Sequence, residues 1–435
     1  MTLRVPVPTS KSMTQRALVL AALAEGPSRI EAPLECDDSR HLRGVLEALG
    51  ANIAWHGDAA LVTPAPRPLR APDRPVFCGN AGTTMRFSSA LALLVEGELA
   101  LDGDEHMRRR PIGPLGDALT ALGVRVRYLA RPGCPPIALA RTGPVPERAP
   151  VDASLSSQYA SALLLVGPHL PRGLSLELCG DAVVSRPYLD MTLAMMQRAG
   201  ATAGWDGARS LRVEPGRYRD ASTVIEVDWS AAAFVAAAAR VVGAKLEPLG
   251  LAEPSRSLQG DAAIAALLAR LYRDESDRDD SDRAELDVFD LTDTPDLIAP
   301  LAAAALFAAR PTRISGAAHT RVKECDRVHV LARELRKLGA VVTEHDDGLN
   351  LEPLGPRRAA TAGSRIELDP DDDHRMAMAF GVVALRRPEI AVKNPGCVSK
   401  SFPDFWSTLA LIREHTPSPT LPLEGDGEVT PPLAD

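Results

Sequence analysis

The chain has 435 residues, of which 45% are hydrophobic, 4% aromatic and 24% charged, and its net charge is −8. That is length for about two ordinary domains and apolar content for substantial cores. The acidic balance offers no overall attraction for nucleic acid or an anionic membrane surface, and neither is expected as a partner. The longest apolar runs, over 17–24 and 301–309, are too short to cross a bilayer, and Met1-Thr2-Leu3-Arg4-Val5-Pro6 has no secretion-signal character. Six cysteines (36, 78, 134, 179, 325 and 397) lie scattered without a CxxC pair. They read as reduced thiols of a cytoplasmic protein, not as a zinc site or a disulfide frame.

In chain order, polar clusters open one helix after another. Pro8-Thr9-Ser10-Lys11-Ser12 precedes a helix over 13–23, and Asp37-Asp38-Ser39 precedes one over 40–49. Ser, Thr and Asp are cap formers. Lys11 is not, because a cation at a helix N-terminus opposes the dipole, and a bound anion there resolves the conflict. Arg16 lies one turn further along on the same side. Next comes Gly79-Asn80-Ala81-Gly82-Thr83-Thr84-Met85-Arg86, a glycine turn before a helical run to 94. Such a turn aims backbone N–H groups at a phosphate or carboxylate. It is neither a Walker A loop nor a dinucleotide fingerprint, so no nucleotide is implied. Arg108-Arg109-Arg110-Pro111-Ile112 sets arginines before another helix start.

Ser154-Leu155-Ser156-Ser157-Gln158 opens a helix over 159–166, and Ser185-Arg186-Pro187-Tyr188 opens the next. Their hydroxyls and amide suit a phosphate or a polyol. Glu226-Val227-Asp228-Trp229-Ser230 leads an Ala-rich helix to 239, read as scaffold, and 273–283 reads as an exposed flexible insertion. Asp293-Thr294-Pro295-Asp296 opens an apolar helix over 297–309. A second helix is expected to begin at His319-Thr320-Arg321-Val322-Lys323-Glu324-Cys325-Asp326-Arg327. On it Lys323 and Arg327 are one turn apart, a like-charge pair that an intervening anion relieves. Asp373-His374-Arg375 and Val398-Ser399-Lys400-Ser401-Phe402 open the last two helices. From 415 onward the Pro-rich acidic tail reads as disordered.

The openings belong to a repeat. Leu46-Glu47-Ala48-Leu49-Gly50, Leu119-Thr120-Ala121-Leu122-Gly123, Met196-Gln197-Arg198-Ala199-Gly200 and Leu335-Arg336-Lys337-Leu338-Gly339 each read as helix end, C′ glycine, then strand. Their spacing gives units of roughly 70 residues, with a degenerate copy near 267–271 and a sixth ending near 409–412. A cleft gathering Lys11, Arg16, Arg86, Arg110, Lys323, Arg327, Arg375 and Lys400 would be strongly positive inside an acidic protein and would focus its field on anions. Asp296 and Glu324 stand among those cations as proton-transfer candidates. Of 49 basic residues only six are lysine, and Lys11, Lys323 and Lys400 all fall within these motifs.

Taken together, Ser10-Lys11-Ser12 with Arg16, Gly79-Asn80-Ala81-Gly82-Thr83 with Arg86, Arg110-Pro111-Ile112, Ser156-Ser157-Gln158, Ser185 with Tyr188, Pro295-Asp296, Arg321-Val322-Lys323-Glu324 with Arg327, Asp373-His374-Arg375-Met376 and Lys400 with Phe402-Pro403-Asp404 resemble the 5-enolpyruvylshikimate-3-phosphate synthases of the enolpyruvyl transferase family. The resemblance runs from about 5 to 412. It implies an α/β fold: a two-domain inside-out α/β barrel of six repeated strand–helix units, three per domain. One domain would span 8–227 and the other 1–7 plus 228–414, with 415–435 a disordered tail. It implies transfer of the enolpyruvyl group of phosphoenolpyruvate to the 5-hydroxyl of shikimate 3-phosphate, by addition and elimination, with no metal or organic cofactor, in a cytoplasmic monomer.

By the same resemblance, shikimate 3-phosphate is held by Lys11, Ser12, Arg16, Ser156, Ser157, Gln158, Ser185, Tyr188, Asp296, His319 and Lys323. Phosphoenolpyruvate is held by Lys11, Asn80, Gly82, Arg110, Gln158, Arg327, Arg375 and Lys400. Asp296 is implied as the base at the 5-hydroxyl, Glu324 as the proton carrier at the methylene carbon, and Lys11 as the partner of the departing phosphate. The herbicide glyphosate takes the phosphoenolpyruvate position in this family. His319 replaces a frequent Asn, and Phe87 replaces a frequent Pro and is expected to press on Gly82 and Thr83. Two alternatives are weighed against this reading. One is the related transferase acting on UDP-N-acetylglucosamine, against which Ser156-Ser157-Gln158 and the Lys11-Ser12 pair argue. The other is a non-catalytic anion-binding descendant of the fold.

Overall fold

A computed structural model describes residues 2–273, 286–354 and 365–416. The expected insertion over 273–283, apart from Arg273, and the expected tail beyond Thr416 lie outside the described residues.

The fold is mixed α/β, and four four-stranded sheets share one plan. In one of them Val76–Phe77 runs parallel to Glu98–Asp102, which pairs antiparallel with Ile137–Arg141, which pairs antiparallel with Val124–Tyr128. The same order recurs in Arg148–Asp152, Leu174–Cys179, Ser210–Val213 and Ala203–Trp205. It recurs again in Thr223–Val224, Ser28–Glu31, Ala59–Thr63 and Asn52–His56, and in Asp287–Asp290, Thr312–Ser315, Gly348–Leu351 and Val342–His345. Among the described residues, Leu3–Val5 with Leu246–Pro248, and Ile366–Leu368 with Ile390–Val392, form only the parallel pair. Strand Leu174–Cys179 illustrates the local cause. Leu174, Leu176 and Leu178 point inward and Ser175, Glu177 and Cys179 outward, the period of a one-sided strand.

The repeat phrases are helix ends as expected. Gly50, Gly123, Gly200 and Gly339 take positive φ values of 99°, 81°, 94° and 81° after their helices, a conformation that strains any residue with a Cβ. The chain is organised around two hydrophobic cores, one drawn from residues between Met13 and Ile225, the other from Val5 and residues between Trp229 and Ile412. Three helices buried along their length meet in each. In the first they are Lys11–Leu23, Gly82–Leu91 and Gln158–Val166; in the second, Trp229–Val242, Ile298–Ala305 and His374–Ala384. Alanine dominates Trp229–Val242 and Ile298–Ala305, so backbones approach closely with little side-chain entropy lost.

The chain passes between the two cores beside itself. Ser10 N donates to Glu226 O at 2.8 Å, and Asp228 N donates to Pro8 O at 2.9 Å. One helix expectation fails. No helix begins at His319: residues Ala318–Val322 form a 3-10 turn, and the α-helix is Arg327–Arg336, capped by Asp326, which accepts from His329 N at 2.9 Å. Asp326 is a strong N-cap, and it stops the helix from extending backward. Lys323 and Arg327 are therefore not a helical i, i+4 pair.

Candidate active site

Lys11 opens its helix after the cap Ser10. Its ammonium lies 3.3 Å from Asp38 Oδ2, and its backbone N–H donates to Asp228 Oδ2 at 3.0 Å. Part of the expected counter-anion is thus the protein's own Asp38. Burial is the largest influence on the Lys11 pKa and works to lower it, but Asp38, with Glu324 and Cys36 behind it, outweighs burial and holds the ammonium above its ordinary value. Asp228 also caps Ala231 N at 2.9 Å, so the fourth unit, expected to be scaffold, fixes the first residue of the site.

Arg16 is buried, and it donates to Thr192 Oγ1 at 2.7 Å, Ser12 O at 3.0 Å and Tyr188 O at 3.2 Å. Burial lowers its pKa to about 10. It lines the cleft, but most of its donors are committed to tying the Lys11 helix to the Tyr188 helix. Phe87 is buried beneath it, its ring centroid 5.5 Å from the guanidinium carbon, so its influence on the site reaches Arg16 directly.

Gly82 starts helix Gly82–Leu91, and a Cβ there would fall 2.6 Å from the guanidinium nitrogens of both Arg110 and Arg86. Only glycine lets these two cations close over the helix end. Arg110 donates to Asn80 O and Asn80 Oδ1, each at 3.2 Å, and lies 3.6 Å from Glu324. Arg86 does not line the cleft. It donates to Gln158 Oε1 at 2.9 Å and orients that amide. Ser185 takes φ 56°, unusual for a residue with a side chain, with its N–H on Thr292 O at 3.0 Å.

The opposite wall is an ion-pair network. Arg327 Nη1 lies 2.8 Å from Asp296, Nη2 3.0 Å from Glu324 and Nε 2.7 Å from Asp373. Arg375 holds the other Asp296 oxygen at 2.8 Å. Lys400 Nζ reaches Glu324 at 2.9 Å and Asn80 O at 2.7 Å, from one half of the molecule to the other. Burial works to raise the Asp296 pKa, but Arg375, Arg327 and Lys323 outweigh it and hold the carboxyl well below the usual range. Lys400, Arg110 and Arg327 likewise overcome burial at Glu324. Lys323 has no such excess of partners, and burial lowers its pKa to about 8.

One cleft is lined by Lys11, Ser12, Arg16, Gly82, Arg110, Ser156, Ser157, Gln158, Ser185, Tyr188, Asp296, Lys323, Glu324, Arg327 and Arg375 from the expected set. Asn80 and Lys400 stand one contact behind it, and His319 is buried beside Lys323 and Asp296 with Nε2 unpartnered. Sequence reasoning passed over Asp38, His374, Asp373 and Asp261. His374 and Asp38 line the cleft, and Asp373 anchors Arg327. The Asp37-Asp38-Ser39 and Asp373-His374-Arg375 clusters were visible as helix openings, but as caps; Asp261 carried no signal.

Six cations against three carboxylates, with small donors between them, make a cleft built for ligands carrying several negative charges. A mixed α/β protein with helix N-termini converging on such a cleft belongs to the class that binds small polyanions. The family model of EPSP synthase (3-phosphoshikimate 1-carboxyvinyltransferase) matches residues 1–409, and the chain belongs to that family. The 3-phosphoshikimate 1-carboxyvinyltransferase of Rhizobium leguminosarum bv. trifolii (strain WSM2304) is 38% identical over 411 residues, covering 93% of each chain. That of Methanoculleus marisnigri (strain ATCC 35101 / DSM 1498 / JR1) is 39% identical over 415 residues, covering 93% of this chain and 95% of its own. The EPSP synthase structure from Acinetobacter baumannii shares the fold with a TM-score of 0.70 at 22% identity, covering 94% of each chain. The UDP-N-acetylglucosamine alternative is not favoured by these matches.

Proposed function

We propose that this chain joins phosphoenolpyruvate to shikimate 3-phosphate, giving 5-enolpyruvylshikimate 3-phosphate and phosphate in the shikimate route to aromatic amino acids. The observation that carries the reading is Asp296 gripped by Arg327 and Arg375 at the centre of the polyanion cleft. A carboxylate so clamped is a weak base. A phosphoenolpyruvate carboxylate is a bidentate partner for the same guanidiniums. Its arrival draws them off Asp296 and restores basicity where shikimate 3-phosphate presents its 5-hydroxyl.

In this mechanism Asp296 takes the 5-hydroxyl proton as the oxygen bonds to C2 of phosphoenolpyruvate, and Glu324, which takes up a proton once Lys400, Arg110 and Arg327 turn to the substrate anions, delivers it to the methylene carbon, giving a tetrahedral adduct. Elimination reverses the proton at the methyl group and breaks the C2–O bond to phosphate. Lys11 neutralises the departing phosphate. Shikimate 3-phosphate is read onto Lys11, Ser12, Arg16, Ser156, Ser157, Gln158, Ser185, Tyr188, Asp296, His319 and Lys323, and phosphoenolpyruvate onto Lys11, Asn80, Gly82, Arg110, Gln158, Arg327, Arg375 and Lys400. Glyphosate is read onto the latter set.

The two cores support a division at 8–227 and at 1–7 with 228–414, and the sheets repeated on one plan with three buried helices in each core support an inside-out barrel of six units. No described helix is long and apolar enough to cross a membrane. A cytoplasmic monomer is part of the reading. Proton NMR of the reaction mixture tests it: new vinyl-ether signals on the shikimate 5-position support it, and an unchanged mixture overturns it.

A further inference from the structure

Asp261 is 1% exposed and lies in the turn Gly260–Ala263, behind the cleft wall. The Tyr188 hydroxyl stands 3.2 Å from Asp261 Oδ2 and 3.5 Å from Asp296 Oδ2. A phenol has one proton and donates to one of the two at a time. The Ser230 hydroxyl also meets Asp261 Oδ2, while Oδ1 is buried with no partner, a costly position for an ionised oxygen.

The groups facing Asp261 come from every element around it. They are Tyr188 from helix Arg186–Arg198, Asp228 and Ser230 from the start of helix Trp229–Val242, Asp296 from the turn Pro295–Leu297, and Arg375 from helix His374–Ala384. Burial first, and Asp296 second, outweigh Arg375 and push the Asp261 pKa up to about 6.

We propose that Asp261 is a positioning residue whose charge decides which carboxylate receives the Tyr188 proton, and thereby sets the basicity of Asp296. The proposal rests on Asp296 being the base. With Asp261 neutral, the phenol donates to Asp296 and weakens it further as a base. With Asp261 ionised, the phenol turns to Asp261, Asp296 loses a donor and gains a negative neighbour, and it accepts the 5-hydroxyl proton more readily. Turnover therefore rises with pH through the ionisation of Asp261.

The test is the pH profile of kcat at saturating substrates for the native enzyme, Asp261→Asn and Tyr188→Phe, with thermal melting of each. The native enzyme is expected to show a rising limb near pH 6, of ~3–10-fold. Asp261→Asn is neutral at every pH, and it should lose the limb and stay at the low-pH level. Tyr188→Phe has no proton to redirect and should keep only the smaller part of the limb that comes from the Asp261 charge itself. A merely structural role would scale kcat equally at all pH and leave the limb in place. A limb surviving in Asp261→Asn, or one of native size in Tyr188→Phe should the former not fold, overturns the proposal, as does a native profile without one. Native enzyme that turns over neither substrate at any pH overturns the reading of the activity and this proposal together.

Discussion

Asp296, the base in the proposed mechanism, is held as a weak base by its own cations. Its two oxygens each hold a guanidinium at 2.8 Å, which suppresses its basicity until a substrate competes for the same cations. Asp296→Asn should retain shikimate 3-phosphate binding within a few-fold, because the cations that attract the phosphate remain. Its kcat should fall ~10²–10⁴-fold, the usual loss with a general base. Calorimetry and steady-state kinetics on the same preparation check both halves; near-native turnover would move the base elsewhere.

Lys323 carries a second residue-scale expectation. With its pKa lowered to about 8 by burial, it is protonated below that pH and neutral above. A cation that attracts phosphate is lost as pH rises, so affinity of the free enzyme for shikimate 3-phosphate should weaken ~10-fold per pH unit above about 8. Titrations at about pH 7, 8 and 9 check this, and Lys323→Met should bind weakly with that dependence removed.

At the scale of elements, Asp373 joins two of them. It caps helix His374–Ala384 by accepting from Arg375 N at 2.8 Å, and its Oδ2 holds Arg327 Nε, the first residue of the neighbouring helix, at 2.7 Å. Arg327 and Asp373 are both buried, so removing the charge leaves one of the cation's three carboxylates missing. Asp373→Ala should cost about 3–5 kcal/mol, combining a lost cap with a broken buried pair. Thermal melting should drop clearly, and Asp373→Asn should recover the cap part alone. Equal melting of Asp373→Ala and the native protein would contradict this.

Element legibility followed local chemistry. C′ glycines and helix caps are decided within a few residues, so Gly50, Gly123, Gly200 and Gly339, and the openings at Ser10, Asp228 and Asp373, could be read from sequence. The helix expected from His319 could not, because charge spacing there outweighed the cap strength of Asp326 in the reading. Partners far apart in the chain were also invisible. Lys11 with Asp38, Lys400 with the Asn80 carbonyl, and Tyr188 with Asp261 meet only after the sheets and helices have packed.

For the molecule as a whole, the halves touch through the site itself. Lys400 reaches Asn80 O, Arg110 faces Glu324, and Ser399 donates to Asp37 Oδ2 at 2.6 Å. Neither half holds the full set of cations alone, and the proposed reaction joins two anionic substrates between them. The measurement that tests this most directly is phosphate release by the purified chain with each substrate alone and with both. The expected result is release only when phosphoenolpyruvate and shikimate 3-phosphate are present together, one phosphate for each enolpyruvyl product. Release from phosphoenolpyruvate alone at a comparable rate, or none with the pair, would contradict it.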